Sequence, residues 1–209
     1  MPKGRNKKYD YHCRMLLSHS LLLLGWLLCY AIHSFTSGDQ LRSKLNLGKQ
    51  TYRLIYNLVA IITFGAVVLY GVIIDTALLF PPTQITFYLG LMLATFGIFI
   101  IKRAFRAYSP LKFLGFKKED NTAEELRTEG LQARVRHPLY SGTVLIFLGY
   151  ALFNPTLAST VTLLALLVYL PFGIRSEEKK LYHIFGKAYE HYKKNTPALI
   201  PSFTKKKSQ

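Results

Sequence analysis

The chain has 209 residues, half of them hydrophobic and only 18% charged, and its formal net charge is +16 at pH 7. Soluble domains rarely combine so much apolar content with so few acidic residues, so this composition argues against a soluble protein. Its only cysteines, Cys13 and Cys29, are too few for a disulfide framework and have no metal-binding spacing.

Three uncharged stretches in the first half of the chain have the length of membrane-spanning helices. They comprise residues 15–32, 54–74 and 85–101. Since roughly 20 helical residues cross the hydrocarbon core, each stretch predicts a transmembrane helix. The first stretch could instead be a signal peptide, but it ends without the small-residue cleavage site of such peptides.

A fourth uncharged stretch, residues 139–174, is too long for one span and is interrupted by Asn154-Pro155. Because proline cannot continue a helix, the interruption predicts a helical hairpin whose first arm is the shorter one. The predicted fold class is therefore an all-α integral membrane protein with about five transmembrane helices, the last two forming the hairpin. Residues 1–209 are expected to form a single membrane domain.

The distribution of basic residues predicts how the chain is oriented in the membrane. All 27 lysines and arginines lie before residue 15, within 34–53, within 102–136, or from 175 onwards, and none lies within 75–84. The positive-inside rule therefore places 75–84 outside and its neighbouring loops in the cytoplasm, which leaves the basic N-terminus outside. Because the charges flank membrane segments, we expect the lipid bilayer as a partner and no nucleic acid.

The segment 102–138 ends in the motif "RVRHPLYSG", which runs directly into the hairpin. Pro138 can occupy the first turn of the next helix, which puts His137 at a helix N-terminus. Free N–H groups there favour a carboxylate or phosphate ligand. Arginine, histidine and tyrosine are also common at headgroup depth, so the pattern alone leaves a binding site and a membrane anchor as equal alternatives.

The segment 175–201 predicts a cytoplasmic C-terminal amphipathic helix and cap. Ser176 is the candidate N-cap, followed by two acids that suit the positive end of a helix. At 100° per residue, Glu178 lies on the aromatic face and Glu177 at its edge. The face comprises Leu181, Tyr182, Phe185, Tyr189 and Tyr192. Ordinary packing of this face on lipid is the alternative.

Two histidines lie on one side of the first predicted helix. His19 and His33 are 14 positions apart, which places them within roughly 40° of one another around the axis. They raise the hypothesis of a haem or quinone protein. Hydrogen bonding between helices is the commoner use of such residues and is the default expectation.

The motifs "LRTEGLQARVRHPLYSG" and "EEKKLYHIFGKAYEHYKKNTPALIP", around a hairpin with an Asn-Pro break, resemble the isoprenylcysteine carboxyl methyltransferase / phospholipid methyltransferase superfamily. These are integral membrane enzymes that use S-adenosyl-L-methionine. The resemblance covers about residues 125–201. The N-terminal part, with His33-Ser34 and "YRLIYN", is similar to a bacterial branch of methanethiol S-methyltransferase-like and denitrification-associated membrane proteins.

The resemblance implies a methyltransferase of the bacterial inner membrane whose active site faces the cytoplasm. It implies a lipophilic or small methyl acceptor, with a thiol or an isoprenylcysteine-like carboxylate favoured. A phospholipid amine is an alternative acceptor. The implied cofactor contacts are Leu126, Arg127, Gln132, Arg136, His137, Pro138, Leu139, Tyr140 and Glu177.

Arg175 and Glu178 are the catalytic candidates, the former by similarity to an arginine near the acceptor and the latter by its inward-facing position. The chain departs from the family pattern at three positions. Gln132 stands where an aromatic is usual, Glu124 where histidine is frequent, and Arg175 lies closer to the glutamate. These departures support a second hypothesis, a non-enzymatic accessory membrane protein that keeps the fold.

Overall fold

The computed structural model describes residues 7–37, 39–106, 116 and 125–201, and these parts are helical without a β-strand. The predicted all-α fold is therefore confirmed. The helices in chain order are α1 (Lys7–Thr36), α2 (Asp39–Lys44), α3 (Lys49–Ile73), α4 (Gln84–Phe105), α5 (Pro138–Phe153), α6 (Leu157–Phe185) and α7 (Lys187–Asn195).

Four of these helices, α1, α3, α4 and α6, are long and apolar enough to cross a membrane. Helix α5 is apolar but has only 16 residues, so the first arm of the hairpin is the short one, as predicted. Asn154 ends α5, and the Thr156 side chain caps α6 by accepting a hydrogen bond from the Ser159 N–H. The chain is an integral membrane protein.

The second arm of the hairpin continues well beyond its predicted end. Helix α6 runs without interruption through Arg175 and Ser176 to Phe185, so the prediction that Ser176 caps a new helix is wrong. Nothing before Ser176 stops the apolar helix, whereas Gly186 has the positive φ of 53° that breaks it. The charged residues after position 174 therefore extend a membrane helix.

The break at Gly186 also changes which aromatic side chains share a face. Tyr189 and Tyr192 on α7 are buried, whereas Tyr182 on α6 is 52% exposed. The predicted single stripe from Leu181 to Tyr192 is therefore wrong, because the 100° step does not carry across Gly186.

Helices α4 and α5 pack with their backbones in contact. A Cβ atom added to Gly97 would lie 2.5 Å from the Gly142 carbonyl oxygen, and one added to Gly90 would lie 2.6 Å from that of Gly149. Small residues at a helix crossing permit such close approach between membrane helices. The contact fixes α5, which begins directly after His137, against α4.

Helix α1 packs on α6 around a buried core that includes Trp26. The Trp26 indole donates a hydrogen bond of 3.0 Å to the Thr162 hydroxyl. Tyr30 stacks between Trp26 and Tyr169, with ring centroids 5.5 Å and 4.3 Å away. Aromatic stacking and this hydrogen bond thus hold the middle of α1 to α6.

His19 and His33, both on α1, make hydrogen bonds to other segments. His19 Nδ1 lies 2.7 Å from the Met15 carbonyl oxygen, and Nε2 lies 3.1 Å from the Thr76 hydroxyl. His33 lies 3.0 Å from the Tyr56 hydroxyl of α3. His33 thus joins α1 to α3, and His19 joins α1 to the loop after α3, which agrees with hydrogen bonding as the default expectation.

Candidate active site

The two motifs that are separated by the hairpin meet at one place. His137 precedes α5 and is buried, with Nδ1 3.4 Å from Glu177 Oε2 and Nε2 3.3 Å from Glu178 Oε1. The hairpin turn returns α6 alongside α5, which brings residues 41 positions apart into contact. The periodicity prediction that Glu178 faces inward agrees with its burial, since only 8% of its side chain is exposed.

Glu178 is surrounded by positively charged side chains. Arg136 Nε and Nη2 donate to Glu178 Oε1 at 2.9 and 2.6 Å. Lys193 Nζ, from α7, lies 2.6 Å from Glu178 Oε2. Arg136, Lys193, His137 and Glu178 together form what we call the Glu178 cluster.

The cluster keeps Glu178 ionised. Glu178 lies in the charged extension of α6, beyond the apolar part that ends at residue 174. Burial by itself raises the pKa of this carboxyl group, but hydrogen bonds from Lys193, Arg136 and His137 outweigh burial and lower it to about 2. Glu178 is therefore a fixed negative charge at neutral pH and holds the two basic residues of the first motif in place.

The segment after α7 closes the cluster from another side. The Arg136 N–H donates to the Pro197 carbonyl at 2.9 Å, and the His137 N–H donates to that of Ala198 at 3.0 Å. Arg136 Nη1 also donates to the Thr196 carbonyl. These backbone contacts fix both the main chain and the guanidinium of the first motif.

Two buried polar atoms beside the cluster lack a hydrogen-bond partner among the described residues. They are Nε2 of Gln132 and the hydroxyl of Tyr189. The Gln132 backbone is held, because its carbonyl accepts a 2.6 Å hydrogen bond from the Tyr192 hydroxyl. Burial, together with the negative charge of Glu178, raises the pKa of Tyr189, so this hydroxyl stays protonated. Unsatisfied buried donors indicate places where a ligand can complete the hydrogen bonding.

Three of the remaining predicted cofactor contacts, Pro138, Leu139 and Tyr140, directly follow His137. Pro138 is buried, Leu139 and Tyr140 are half-buried in the first turn of α5, and the Tyr140 ring centroid lies 5.6 Å from that of His137. In the preceding loop, Leu126 is half-buried and Arg127 is exposed. Glu124, one of the departures from the family pattern, lies outside the described residues.

Arg175 lies apart from His137 and Glu177. Two residues along a helix turn the side chain by roughly 200°, so Arg175 and Glu177 project from nearly opposite faces of α6. Arg175 is exposed and borders an open pocket between α6 and α7. The structure thus brings His137, Glu177 and Glu178 together, whereas Arg175 faces away from Glu177 and towards the pocket that Glu178 also borders.

Sequence reasoning missed the contribution of α7 and the segment after it. Lys193 completes the Glu178 cluster, and Tyr189 is buried next to it. Tyr189, Tyr192 and Lys193 stand at i, i+3 and i+4, which places them on one helix face. This spacing could have identified the face, had α7 been treated as a helix of its own.

Comparisons with known proteins identify one family and several relatives that are similar to this chain. A family model described as NnrU protein matches residues 21–203. The chain is 35% identical over 94 residues to a methanethiol S-methyltransferase of Crocosphaera subtropica, covering 45% of this chain and 36% of that protein. It is 33% identical over 111 residues to a methanethiol S-methyltransferase of Pseudomonas deceptionensis, covering 53% and 38%.

A third relative is a protein-S-isoprenylcysteine O-methyltransferase of Schizosaccharomyces pombe, 38% identical over 78 residues, with 36% of this chain and 33% of that protein covered. The matches thus span about a third of the length of these relatives. No solved structure matches. The relatives confirm the resemblance to the isoprenylcysteine carboxyl methyltransferase superfamily, and the family match covers most of the chain. This chain therefore belongs to the NnrU protein family.

Proposed function

We propose that the protein is a membrane-embedded methyltransferase that uses S-adenosyl-L-methionine and acts on a lipophilic or small acceptor. A thiol or an isoprenylcysteine-like carboxylate is the favoured acceptor. The observation that carries the proposal is the contact of His137 with Glu177 and Glu178, because it joins two distant motifs into one site. Relatives named methanethiol S-methyltransferase and isoprenylcysteine O-methyltransferase support it.

The residues of the site fit the polar groups of this cofactor. Glu177, with 47% of its side chain exposed beside His137, would accept hydrogen bonds from the cofactor ammonium. The unpartnered Gln132 amide is a donor that suits the cofactor carboxylate. The aromatic rings of His137 and Tyr140 suit a sulfonium cation. When bound, the cofactor would supply an electrophilic methyl group.

The work proposed for the protein itself is positioning. Glu178 is buried, ionised and paired with three groups, so it fits a role in orienting Arg136 and His137 better than one in proton transfer. A thiolate or carboxylate acceptor needs no base, whereas an amine would have to lose a proton first. Holding both reactants in the right geometry is then the main source of rate.

The proposed site opens to the cytoplasm and to the bilayer at the boundary of the inner membrane. This proposal rests on the basic loops, which favour the cytoplasmic side, and on the site's place at the end of the apolar part of α6. A soluble cofactor would enter from the water and an apolar acceptor from the lipid.

Isothermal titration of the purified full chain with S-adenosylhomocysteine tests the proposal. We expect saturable binding that His137→Ala and Glu177→Ala weaken at least tenfold. His183→Ala and Glu190→Ala, which replace exposed residues of the same types outside the Glu178 cluster, should leave binding unchanged. Absence of binding at millimolar ligand by folded wild-type protein would refute the proposal.

A non-enzymatic accessory protein is the second candidate, and one observation favours it. Arg136 and Lys193 occupy both oxygens of Glu178, as in a cluster that serves stability alone. In that case Glu178→Gln would destabilise the protein, while S-adenosylhomocysteine would not bind. Binding with the dependence on Glu177 described above would exclude this candidate.

A further inference from the structure

An open pocket of about 680 Å³ lies between the extension of α6 and α7. Arg175, Lys179 and Tyr182 line it from α6, and Tyr189 and Lys193 are among the residues that line it from α7. His137 and Glu177 do not border this pocket. Glu178 and Lys193 contribute both to the pocket and to the Glu178 cluster, so this ion pair separates the pocket from the candidate active site.

The pocket has an excess of positive charge at Arg175 and Lys179. Its lining contains four basic and two acidic residues. Two of the basic residues are neutralised, since Lys193 pairs with Glu178 at 2.6 Å and Lys194 with Glu190 at 2.8 Å. Arg175 and Lys179 form no ion pair with any residue that the structure describes. They stand four positions apart, hence on one helix face.

The pocket also offers a buried hydrogen-bond donor. Tyr189 is 1% exposed, and its hydroxyl has no partner among residues 7–37, 39–106, 116 and 125–201. Guanidinium, ammonium and phenol groups can all donate hydrogen bonds to phosphate oxygens. The lining therefore suits a phosphate group better than a neutral or cationic ligand.

An exposed apolar stripe on α6 leads to this pocket from the membrane side. Leu164, Val168 and Phe172 are 53%, 59% and 64% exposed. They continue, at steps of three or four residues, into Arg175 and Lys179, so the stripe and the two cations lie along one side of the helix. Arg175 is the first charge after the apolar part of α6, which places the pocket at headgroup depth.

We propose that this pocket binds the phosphate of an anionic phospholipid whose acyl chain lies along Leu164, Val168 and Phe172. Arg175 and Lys179 contact the phosphate, and the Tyr189 hydroxyl donates to it. The apolar stripe selects a lipid over a soluble phosphate, because only a lipid covers both the stripe and the cations. This lipid site does not depend on methyl transfer, so its test is independent of the test of the proposed function.

Native mass spectrometry of the detergent-purified full chain tests the lipid site. With equimolar phosphatidylglycerol and phosphatidylcholine, we expect one phosphatidylglycerol to remain bound at collision energies that remove phosphatidylcholine. The Arg175→Gln/Lys179→Gln variant should bind phosphatidylglycerol about 25-fold more weakly, since each basic residue near an anionic membrane surface contributes about fivefold. Lys179→Gln alone should weaken phosphatidylglycerol binding about fivefold.

The matched control is Lys44→Gln/Lys187→Gln, which removes two exposed cations that do not line the pocket. It should retain phosphatidylglycerol as the wild type does. Equal loss in the control, or equal retention of both lipids by the wild type, would overturn the proposal. So would inorganic phosphate binding as tightly as phosphatidylglycerol, or displacement of the lipid by S-adenosylhomocysteine, which would assign the pocket to a soluble anion or to the cofactor.

Discussion

Replacing Glu178 by glutamine should destabilise the protein strongly, although the change is nearly isosteric. The carboxylate is 8% exposed and contacts Arg136 at 2.6 Å, Lys193 at 2.6 Å and His137 at 3.3 Å. Removing one partner of a buried pair costs about 3–5 kcal/mol because the other charge stays buried and unpaired. Lys193 is half-exposed and regains water, so we expect the lower end, about 3 kcal/mol.

A loss of this size lowers Tm by roughly 6–12 °C for a chain of this length. Trp26 is the only tryptophan and lies in the buried core, so its fluorescence during heating in detergent reports unfolding. Glu190→Gln is the control, since it removes an exposed glutamate paired with Lys194, and its Tm should not change measurably. A Tm for Glu178→Gln within about 1 °C of the wild type would refute the structural role of the cluster.

Three further predictions concern the same helices. The pKa of Glu178 is about 2 in the folded protein and about 4.3 in the unfolded chain, so the stabilisation by the cluster is fully present above about pH 5 and is lost as pH falls towards 2. The difference in Tm between wild type and Glu178→Gln should therefore shrink over that range, and a constant difference would show that Glu178 is not the titrating group. Gly97→Ala places a Cβ 2.5 Å from the Gly142 carbonyl oxygen and should lower the free energy of unfolding, measured by thermal unfolding, by about 1–3 kcal/mol. Gly48→Ala is the control, because no atom lies within 4 Å of its added Cβ, and equal effects of the two variants would contradict the close α4–α5 contact. Glu177→Gln should leave Tm within about 1 °C of the wild type, since this side chain is 47% exposed, but should weaken S-adenosylhomocysteine binding measured by titration. A large loss of stability would show that Glu177 belongs to the structural cluster.

The membrane helices were predictable because their signal is local. Uncharged runs near residues 15–32, 54–74 and 85–101 lie within α1, α3 and α4, apart from the last residue of the second run. Asn154-Pro155 marks the hairpin turn because proline has no N–H for a helix hydrogen bond. Glu178 is buried as predicted, although the stripe used to predict it is not a single face, because Tyr189 and Tyr192 lie beyond Gly186.

Features that depend on tertiary contacts were not predictable in this way. Ser176 with its two following acids resembles a helix start, and only the continuity of α6 shows that it is not. The helix break at Gly186 determines which way Tyr189 and Lys193 face, and the sequence alone does not show that this glycine has a positive φ. The contacts of Arg136 and His137 with the carbonyls of Pro197 and Ala198 join main-chain groups, which carry no side-chain signal.

The assignment of Arg175 shows where family resemblance and structure separate. Resemblance places this arginine near the acceptor, whereas the helix turns it away from Glu177 and towards the pocket with Lys179. Its catalytic role stays a prediction. Measuring phosphatidylglycerol retention and S-adenosylhomocysteine binding on the same Arg175→Gln protein would separate the two roles.

Methyl transfer by this protein can be tested by detecting the labelled product. Membranes containing the protein are supplied with methyl-labelled S-adenosyl-L-methionine, and lipid and small-molecule fractions are analysed by mass spectrometry. We expect a labelled methylated thiol or carboxyl ester that is absent with Glu177→Ala and present with Glu190→Ala. Identical product profiles for wild type and Glu177→Ala, with both proteins folded, would contradict it.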